Sequence, residues 1–252
     1  MKNTIELISI GTELLNGRTL NTHAQTLGAA LSEIGLSLSR DTTIPDGMQI
    51  IQSAVREAFE RVDIVIVSGG LGPTSDDITR DALAGLFGCD IVSSPAALDA
   101  LHRKYADRGR TVTPAAERQA LILEGAETLL NSVGAAPGER FFPMVGKTLF
   151  IVPGPPGEFA AVLNDHIVPW LRQTFPDAAP LELRVLTTQG IGESDIVTRL
   201  EAAGFQPLET SVGFYPGLGK VEIRLTAPKE KTALLDETER TLRELLHDHL
   251  ID

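Results

Sequence analysis

Carboxylates that follow strand-like segments are the residues of this sequence best suited to chemistry. Asp46 lies in "TIPDGMQ", Asp76 and Asp77 lie in "VSGGLGPTSDDITRD", and Glu13 lies in "IGTELLNGRTLNT". Clustered carboxylates repel a phosphate unless a cation lies between them, and Mg²⁺ usually joins a phosphate through one or two carboxylates. We therefore expect a divalent metal at these positions, with four candidate ligands: Asp46, Asp77, Glu13 and Asp76.

The aspartates also have a simpler structural interpretation. An aspartate just before a helix can accept hydrogen bonds from free amides and interact with the positive end of the helix dipole. For Asp46 taken alone, capping is the stronger interpretation. Asp76, Asp77 and the following Asp81 carry more negative charge than one cap requires. We expect one aspartate of the adjacent pair to cap the helix while its neighbour faces the cation.

The segment "SGGLGPT" has the composition of a loop that binds an anion. Gly69, Gly70 and Gly72 let the backbone approach a ligand closely, and amides that precede a helix N-terminus form an anion site. This signal is weak by itself, because glycine-rich turns are common and neither GK[ST] nor GxGxxG is present. Substrate or phosphate contacts are expected here and at the other strand ends, at Gly11, Thr12, Asn21, Gly69, Gly70, Gly72, Thr74, Gly154 and Pro155.

Alternating strands and helices must position these loops. "TIELISIG", "LSLSRDTTIP", "VDIVIVSGG" and "GKTLFIVPGPPGEF" read as strands, and the nearly continuous apolar run in the third is typical of a strand covered on both faces. Helical spacing lies between them, including segments from about Ala96 to Arg108, from about Pro114 to Leu123 and from Glu158 to about Thr174. This order predicts a three-layer α/β/α domain with a mostly parallel sheet over residues 1–175.

The predicted sheet brings four loops to one edge. Ligands of such sheets bind at the carboxyl ends of the strands. The loops after Ile10, Ile44, Val67 and Val152 all leave from those ends. Beyond "TFPDAAPLE", which has the composition of a boundary, we predict a smaller α+β domain at residues 178–252. Its predicted elements are three or four strands and two helices.

Composition limits the classes of partner. The formal charge of −12 makes backbone-driven binding of nucleic acid or attraction to a membrane surface unfavourable. The N-terminal segment lacks a signal-peptide pattern and no run of eighteen apolar residues occurs, so we expect a cytoplasmic protein. The single cysteine, Cys89, cannot form an internal disulfide. A homo-oligomer is expected as the general default.

Several motifs in order resemble one known family. Residues 4–174, with "ISIGTELLNGRTLNTHAQTLGAALSEIG", "VSGGLGPTSDDITRDALA", "RQALILEGAETLLNSVGAAPG" and "IVPGPPGEF", resemble the competence/damage-inducible protein A (CinA) family, whose N-terminal domain is similar to molybdopterin-binding domains. The region from residue 178, with "GIGES" and "GKVEIRLTAP", looks like the small KH-like domain of that family. It lacks a GxxG loop between helices, so we do not infer RNA binding.

The resemblance implies a function as well as a MogA-like fold. Positions matching Asp46 and Asp77 are the metal-linked catalytic aspartates of molybdopterin adenylyltransferases, and the loop matching Gly69 to Thr74 holds phosphate. Some CinA proteins hydrolyse ADP-ribose to AMP and ribose 5-phosphate with Mg²⁺ or Co²⁺, stimulated by K⁺. The alternatives are nucleotidyl transfer to molybdopterin and a regulatory protein that binds a nucleotide or pterin without turnover. The sequence to Asp252 lacks the amidase domain of many members, so amidase activity is not expected.

Overall fold

The computed structural model describes residues 4–251 of the chain. The chain divides into two compact units with a boundary between Ala178 and Ala179. Each unit has a sheet and a hydrophobic core of its own. Among the helices of the described residues, none is long and apolar enough to cross a membrane.

The first unit is built on one mostly parallel sheet. Its strands in the described chain are β1 (Thr4–Ile10), β2 (Ser37–Ile44), β3 (Ile64–Ser68), β6 (Glu127–Leu129), β7 (Gly138–Phe141) and β8 (Thr148–Val152), while β4 (Ile91–Ser93) and β5 (Leu121–Leu123) pair separately. The sheet order is β2-β1-β3-β8-β7-β6. Strands β2, β1, β3 and β8 are parallel to one another, whereas β7 and β6 add antiparallel pairs at one edge. The predicted parallel sheet is confirmed.

Helices cover both faces of this sheet. They are α1 (Thr12–Leu15), α2 (His23–Ser32), α3 (Met48–Arg61), α4 (Thr79–Phe87), α5 (Pro95–Asp107), α6 (Pro114–Glu117), α7 (Pro156–Val162) and α8 (Val168–Thr174), and a π-helical turn joins the last two. Alternate residues of β3 enter different cores. Ile64 and Ile66 pack with α2, α7 and α8, whereas Val65 and Val67 pack with α3 and α4. The unit is therefore a three-layer α/β/α domain, as predicted.

The region between α5 and β8 differs from the prediction. The predicted helix from Pro114 to Leu123 is wrong beyond Glu117, because a 3₁₀ turn follows and Leu121–Leu123 then forms β5. β5 pairs antiparallel with β4, and Ile122 and Leu123 are buried. Strands of three or four residues carry too few side chains for their period to be distinguished from a helix or a loop. Their pairing with distant segments determines their structure.

The second unit is a small α+β domain, as predicted. It contains β9 (Leu181–Gln189), α9 (Glu193–Ala202), β10 (Ser211–Gly217), β11 (Lys220–Pro228) and α10 (Thr232–Leu246). The three strands form an antiparallel sheet in the order β10-β11-β9. One apolar face of α10, with Leu235 and Leu242, packs with Leu186 of β9 and Ile223 of β11 in the core.

Candidate functional site

The carboxyl ends of four parallel strands open into one cleft of about 540 Å³ in the first unit. The loops after β1, β2, β3 and β8 all contribute to its walls, so the edge predicted from strand order is where the cleft lies. Predicted site residues that line it are Gly11, Glu13, Asn21, Asp46, Gly69, Gly70, Gly72, Asp76, Asp77, Gly154 and Pro155. Thr12 and Thr74 do not line the cleft, because each is turned toward an aspartate.

Asp46 connects the loops after β1 and β2. Its Oδ2 accepts hydrogen bonds from the amide and the hydroxyl of Thr12, both at 2.9 Å. The amide of Gly11 donates to the carbonyl of Ile44 at 3.0 Å and brings the two strand ends together. The N-cap of α3 is Gly47, without a side-chain hydrogen bond. The capping interpretation of Asp46 is therefore wrong, because its carboxylate is engaged by Thr12, 34 positions away in sequence.

Asp77 is held in the same manner within the loop after β3. Its Oδ2 accepts from the Thr74 amide at 2.9 Å and from the Thr74 hydroxyl at 2.6 Å. The N-cap of α4 is Ile78, and no side-chain hydrogen bond caps it. The expectation that one of Asp76 and Asp77 caps this helix is therefore wrong. The local Thr74 donors, three residues before Asp77, bind its carboxylate instead.

Each of the two aspartates has one carboxylate oxygen without a hydrogen-bond partner in the described chain. Oδ1 of Asp46 and Oδ1 of Asp77 have no hydrogen-bond partner among residues 4–251, whereas both Oδ2 atoms are fixed by a threonine. A carboxylate anchored through one oxygen is held in a defined orientation. Its second oxygen is free to bind a cation or a donor in the cleft.

The glycine loop at Gly69 and Gly70 packs so closely against neighbouring residues that a side chain at either position would clash. Gly69 has φ 106° and Gly70 has φ 67°, a backbone region that favours glycine. A Cβ on Gly69 would lie 2.2 Å from the carbonyl oxygen of Ile10. Thr79 locks the loop to α4, since its hydroxyl donates to the Gly69 carbonyl at 2.7 Å. These contacts explain the glycines structurally and leave a narrow backbone surface at the cleft.

A buried ion pair supports the same loop. Arg80 of α4 is 6% exposed and Glu139 of β7 is fully buried, and Arg80 Nε donates to Glu139 Oε1 at 2.7 Å. Arg80 Nη1 also donates to the carbonyl of Leu71 at 3.3 Å, and Glu139 Oε2 accepts from the amide of Leu123 at 2.8 Å. Burial raises the pKa of the Glu139 carboxyl, and the Arg80 charge opposes that rise. The pair thus ties the glycine loop to β5 and β7.

His23 lies at the cleft wall with its ring stacked on Phe159, at a centroid distance of 4.2 Å. Its Nδ1 is 3.1 Å from the hydroxyl of Ser68, which in turn donates to the carbonyl of Pro153 at 3.1 Å. Either Nδ1 of His23 or the hydroxyl of Ser68 can be the donor in this contact, depending on the tautomer of the imidazole. Burial lowers the pKa of His23, against a smaller opposite effect of its hydrogen bond to the Gly154 backbone. Burial thus favours the neutral form of the imidazole.

Some residues that line the cleft were not predicted from the sequence. Leu14, Leu20, Gln119, Ala136 and Glu158 also line it. Glu158 lies in the first turn of α7, as predicted, but it additionally faces the cleft. The available signal was its position four residues after Gly154 at a strand end. Gln119 belongs to the segment that was wrongly predicted as a helix, and Ala136 lies in the predicted loop but has an apolar side chain that gave no sign of a role in the cleft.

Every charged side chain that lines the cleft is a carboxylate. Glu13, Asp46, Asp76, Asp77 and Glu158 contribute negative charge, and within the described chain no lysine or arginine lines the cleft. An anionic ligand would meet repulsion in this cleft unless a cation accompanied it. Backbone amides of the glycine loop supply only partial positive charge.

The donor set fits a divalent cation held partly by its ligand. In residues 4–251 no group of three or more histidine, cysteine or acidic side chains is arranged to hold a metal ion. The four predicted carboxylates therefore do not form a complete protein site. Mg²⁺ is commonly bound by one or two carboxylates, with water and substrate phosphates as its other ligands. The free oxygens of Asp46 and Asp77 suit that arrangement.

Two family models match the chain. One, described as "Probable molybdopterin binding domain", matches residues 6–173, and the other, described as "Damage-inducible protein CinA KH domain", matches residues 183–251. CinA-like proteins of Synechococcus elongatus and of a Nostoc species are 38% and 36% identical over 94% and 95% of this chain. The chain spans 57% of the length of each of these two curated relatives.

A solved structure agrees with these matches. The crystal structure of a CinA protein from Thermoplasma acidophilum superposes with a TM-score of 0.59 at 36% sequence identity. The match covers 64% of this chain and 94% of that one. That protein is described as one of unknown function, so the structural likeness supports the fold and assigns no chemistry to the cleft.

Proposed function

Because this chain belongs to the CinA family and carries its molybdopterin-binding and KH domains, we propose that the cleft of the first unit is an enzyme active site for phosphorylated nucleotides. The reaction we propose is hydrolysis of the pyrophosphate of ADP-ribose with a divalent cation, giving AMP and ribose 5-phosphate. The ligand would enter at the carboxyl ends of the parallel strands, where domains of this architecture bind ligands.

The observation that carries this proposal is the charge of the cleft. A glycine loop with close backbone approach suits a phosphate, yet the surrounding charged side chains are all carboxylates. These features are compatible when a divalent cation bridges the carboxylates and the phosphates. An uncharged ligand would need no such arrangement, and a phosphate bound without a metal would be repelled by the carboxylates around it.

Two aspartates are the cation ligands that we propose. Asp46 and Asp77 each present an oriented carboxylate whose Oδ1 is unused. Glu13 and Asp76 line the same cleft and would bind water around the ion. When bound, the cation would neutralise pyrophosphate charge and lower the pKa of an attacking water.

The backbone of the glycine loop would position the phosphates. Gly70 and Gly72 line the cleft, and the hydroxyl of Thr79 together with Arg80 holds their loop in a fixed conformation. Thr74 would act indirectly, since its amide and hydroxyl orient Asp77. Thr12 would play the matching role for Asp46.

Direct assay of the pure protein tests the proposal. ADP-ribose is incubated with Mg²⁺ or Co²⁺, with and without K⁺, and AMP and ribose 5-phosphate are quantified. We expect equal amounts of the two products, their loss on addition of EDTA, and recovery with excess metal. Absence of AMP under all these conditions would reject the hydrolase. Asp99→Asn, an exposed charge change on α5, serves as the control variant.

A second candidate is adenylyl transfer to molybdopterin. The description of the matched family model favours it, because that domain is named for molybdopterin binding. It makes the same kind of phosphoanhydride bond and would use the same cation site. Formation of adenylylated pterin from ATP and molybdopterin, without hydrolysis of ADP-ribose, would select this reaction.

A further inference from the structure

Glu158 is anchored at the cleft wall by a side chain from another loop. Its Oε2 accepts a hydrogen bond from Nδ2 of Asn131 at 2.7 Å. Asn131 is 6% exposed and is itself fixed, because Nδ2 also donates to the carbonyl of Ala136 at 2.9 Å and Oδ1 accepts from the amide of Gly134 at 2.8 Å. The carboxylate of Glu158 is therefore positioned through one oxygen by a rigid, buried amide.

The ammonium group of Lys104 holds the loop that carries Asn131 and Gly134. Lys104 of α5 donates to the carbonyls of Asn131 and Gly134. Burial lowers the pKa of Lys104, whereas the charge of Glu158 acts in the opposite direction. Lys104 thus interacts favourably with the charge of Glu158, although it does not line the cleft.

The second oxygen of Glu158 is not engaged by the described part of the chain. Oε1 has no hydrogen-bond partner among the described residues, and Glu158 lines the cleft. An ionised carboxylate oxygen only accepts hydrogen bonds. A ligand group that satisfies it must therefore be a donor, such as a hydroxyl or an amine.

The position of Glu158 favours the sugar over the base of a nucleotide. Glu158 lies four residues after Gly154, and a Cβ on Gly154 would be only 3.3 Å from Cα of Gly69 in the glycine loop. The turn that carries Glu158 thus starts beside the proposed phosphate site. In a nucleotide the ribose adjoins the phosphates, whereas the base is one group further away.

We propose that Glu158 is a specificity residue that accepts a hydrogen bond from the 2′- or 3′-hydroxyl of a ribose, and that Asn131 is the residue that positions it. The inference rests on the proposed function in placing phosphates at the glycine loop, and it deepens that function by assigning the ligand to the ribonucleotides. A pterin phosphate without a ribose lacks these hydroxyls and would have to donate to Glu158 Oε1 through its amino group or a ring N–H.

A cycle of protein and ligand changes tests this assignment. Binding of AMP and of 2′,3′-dideoxy-AMP is measured by calorimetry with Mg²⁺ in the wild type and in Glu158→Gln. A hydrogen bond to a charged group is worth about 10- to 100-fold in affinity, so the wild type should prefer AMP by that factor. In Glu158→Gln the new amide oxygen takes the N–H of Asn131 and turns an NH₂ group to the cleft, which cannot accept. The preference should fall to about 3-fold or less.

A second variant moves the carboxylate without removing its charge. A Cβ on Gly134 would lie 1.8 Å from Glu158 Oε2, so Gly134→Ala must displace this flexible side chain. We expect the preference for AMP to drop in Gly134→Ala as well. Asp99→Asn on α5 removes one exposed charge and should keep the wild-type preference, because it lies outside the cleft.

Several outcomes would overturn the assignment. These are equal binding of AMP and its dideoxy analogue by the wild type, no AMP binding at all, or an undiminished preference in Glu158→Gln. IMP in place of AMP distinguishes the base, since loss of an AMP-over-IMP preference in Glu158→Gln would show that Glu158 reads the exocyclic amine. If the wild type prefers AMP over its dideoxy analogue, Glu158→Gln loses that preference and ADP-ribose is not hydrolysed, only the proposed reaction is rejected. If ADP-ribose is hydrolysed but the preference is absent or insensitive to Glu158→Gln, only this inference is rejected.

Discussion

Two of the polar contacts that hold the loop between β3 and α4 differ in their exposure to water. Thr74 and Asp77 form the first contact near the surface of the cleft, and neither residue is buried. Arg80 and Glu139 form the second, at 2.7 Å and almost wholly out of solvent. Both contacts hold the loop near Gly70 and Gly72. Arg80 binds the carbonyl of Leu71 between these glycines, and Thr74 and Asp77 lie just after Gly72.

The difference in exposure indicates that the Thr74–Asp77 contact serves the chemistry of the cleft, whereas the Arg80–Glu139 pair serves the stability of the fold. A solvated hydrogen bond contributes little net stability, since water replaces it readily. The exposed contact instead orients a carboxylate and leaves one oxygen unused. A buried charge has a large desolvation penalty and must stay paired, so loss of one partner destabilises the protein. We expect variants of the first contact to change activity and variants of the second to change stability.

The largest expected effect is the loss of one partner of the buried pair. Glu139→Ala leaves the Arg80 guanidinium buried without its carboxylate and should lower the free energy of unfolding by about 3–5 kcal/mol. Chemical denaturation monitored by circular dichroism measures this change. The double replacement Arg80→Met with Glu139→Leu should be much less destabilising, because it removes both charges. Equal losses in the single and double variants would contradict the assignment of the penalty to the unpaired charge.

The next effect concerns the exposed contact and should appear in activity. In Asp77→Asn the amide oxygen can still accept from Thr74, whereas an NH₂ group replaces the free Oδ1. We expect kcat/KM for ADP-ribose to fall about 100-fold or more, since metal coordination supports several kcal/mol of transition-state stabilisation. The free energy of unfolding should change by less than about 1 kcal/mol.

The same substitution in the other loop gives an independent check. Asp46→Asn retains an acceptor for Thr12 and should show the same loss of activity with the same small change in stability. A variant of either aspartate with undiminished turnover would remove the metal role from that residue. A large fall in stability without a kinetic effect would reverse the comparison of the two contacts.

The sequence determined the parallel sheet and its edge well, because these follow from local patterns. The run Ile64–Val67 alternates between two cores, and its apolar character alone indicated a strand covered on both faces. The site was also predicted in outline, since loops at the carboxyl ends of parallel strands must converge. Asp46 and Asp77 were both assigned to that edge and both line the cleft.

Contacts made across long sequence separations could not be predicted. Asp46 had the local appearance of a helix cap, and only the folded loops bring Thr12 to it. Glu139 gave no signal of its pairing with Arg80, 59 positions away. The short strands β4 and β5 likewise depend on each other and carry little local preference. Long-range partners therefore decided the details that local propensity left open.

A smaller effect is expected where the glycine loop itself is changed. Gly70 has φ 67°, and a Cβ there would lie 2.2 Å from Thr79 Oγ1. Gly70→Ala should cost about 1–2 kcal/mol of unfolding free energy and weaken AMP binding, because it strains the backbone between the two contacts. Gly28→Ala is the matched control, since Gly28 lies in α2 with open space around its Cβ position. That variant should be neutral or stabilising by about 0.5–1 kcal/mol.

The smallest effect is a pH dependence that sharpens the distinction between buried and exposed polar groups. His23 is 5% exposed, and burial lowers its pKa in the folded state below the ordinary value of 6.5. Between these two pKa values the unfolded chain binds more protons than the folded one, so the stability from neutral His23 is present above about pH 6.5 and is lost as the pH falls. His23→Asn should be about 1 kcal/mol less stable at pH 8, because it loses the stacking on Phe159.

The difference in unfolding free energy between the wild type and His23→Asn should stay nearly constant from pH 8 to about pH 6.5 and narrow as the pH falls further to about 5, since only the wild type carries this titrating group. Urea denaturation of both proteins across that range measures the narrowing, and the acidic groups common to both cancel in the difference. A constant difference would mean that the folded protein protonates His23 without penalty, as an exposed histidine does. In that case the wall formed by His23, Ser68 and Pro153 would be grouped with the solvated contacts of the cleft and not with the buried pair of Arg80 and Glu139.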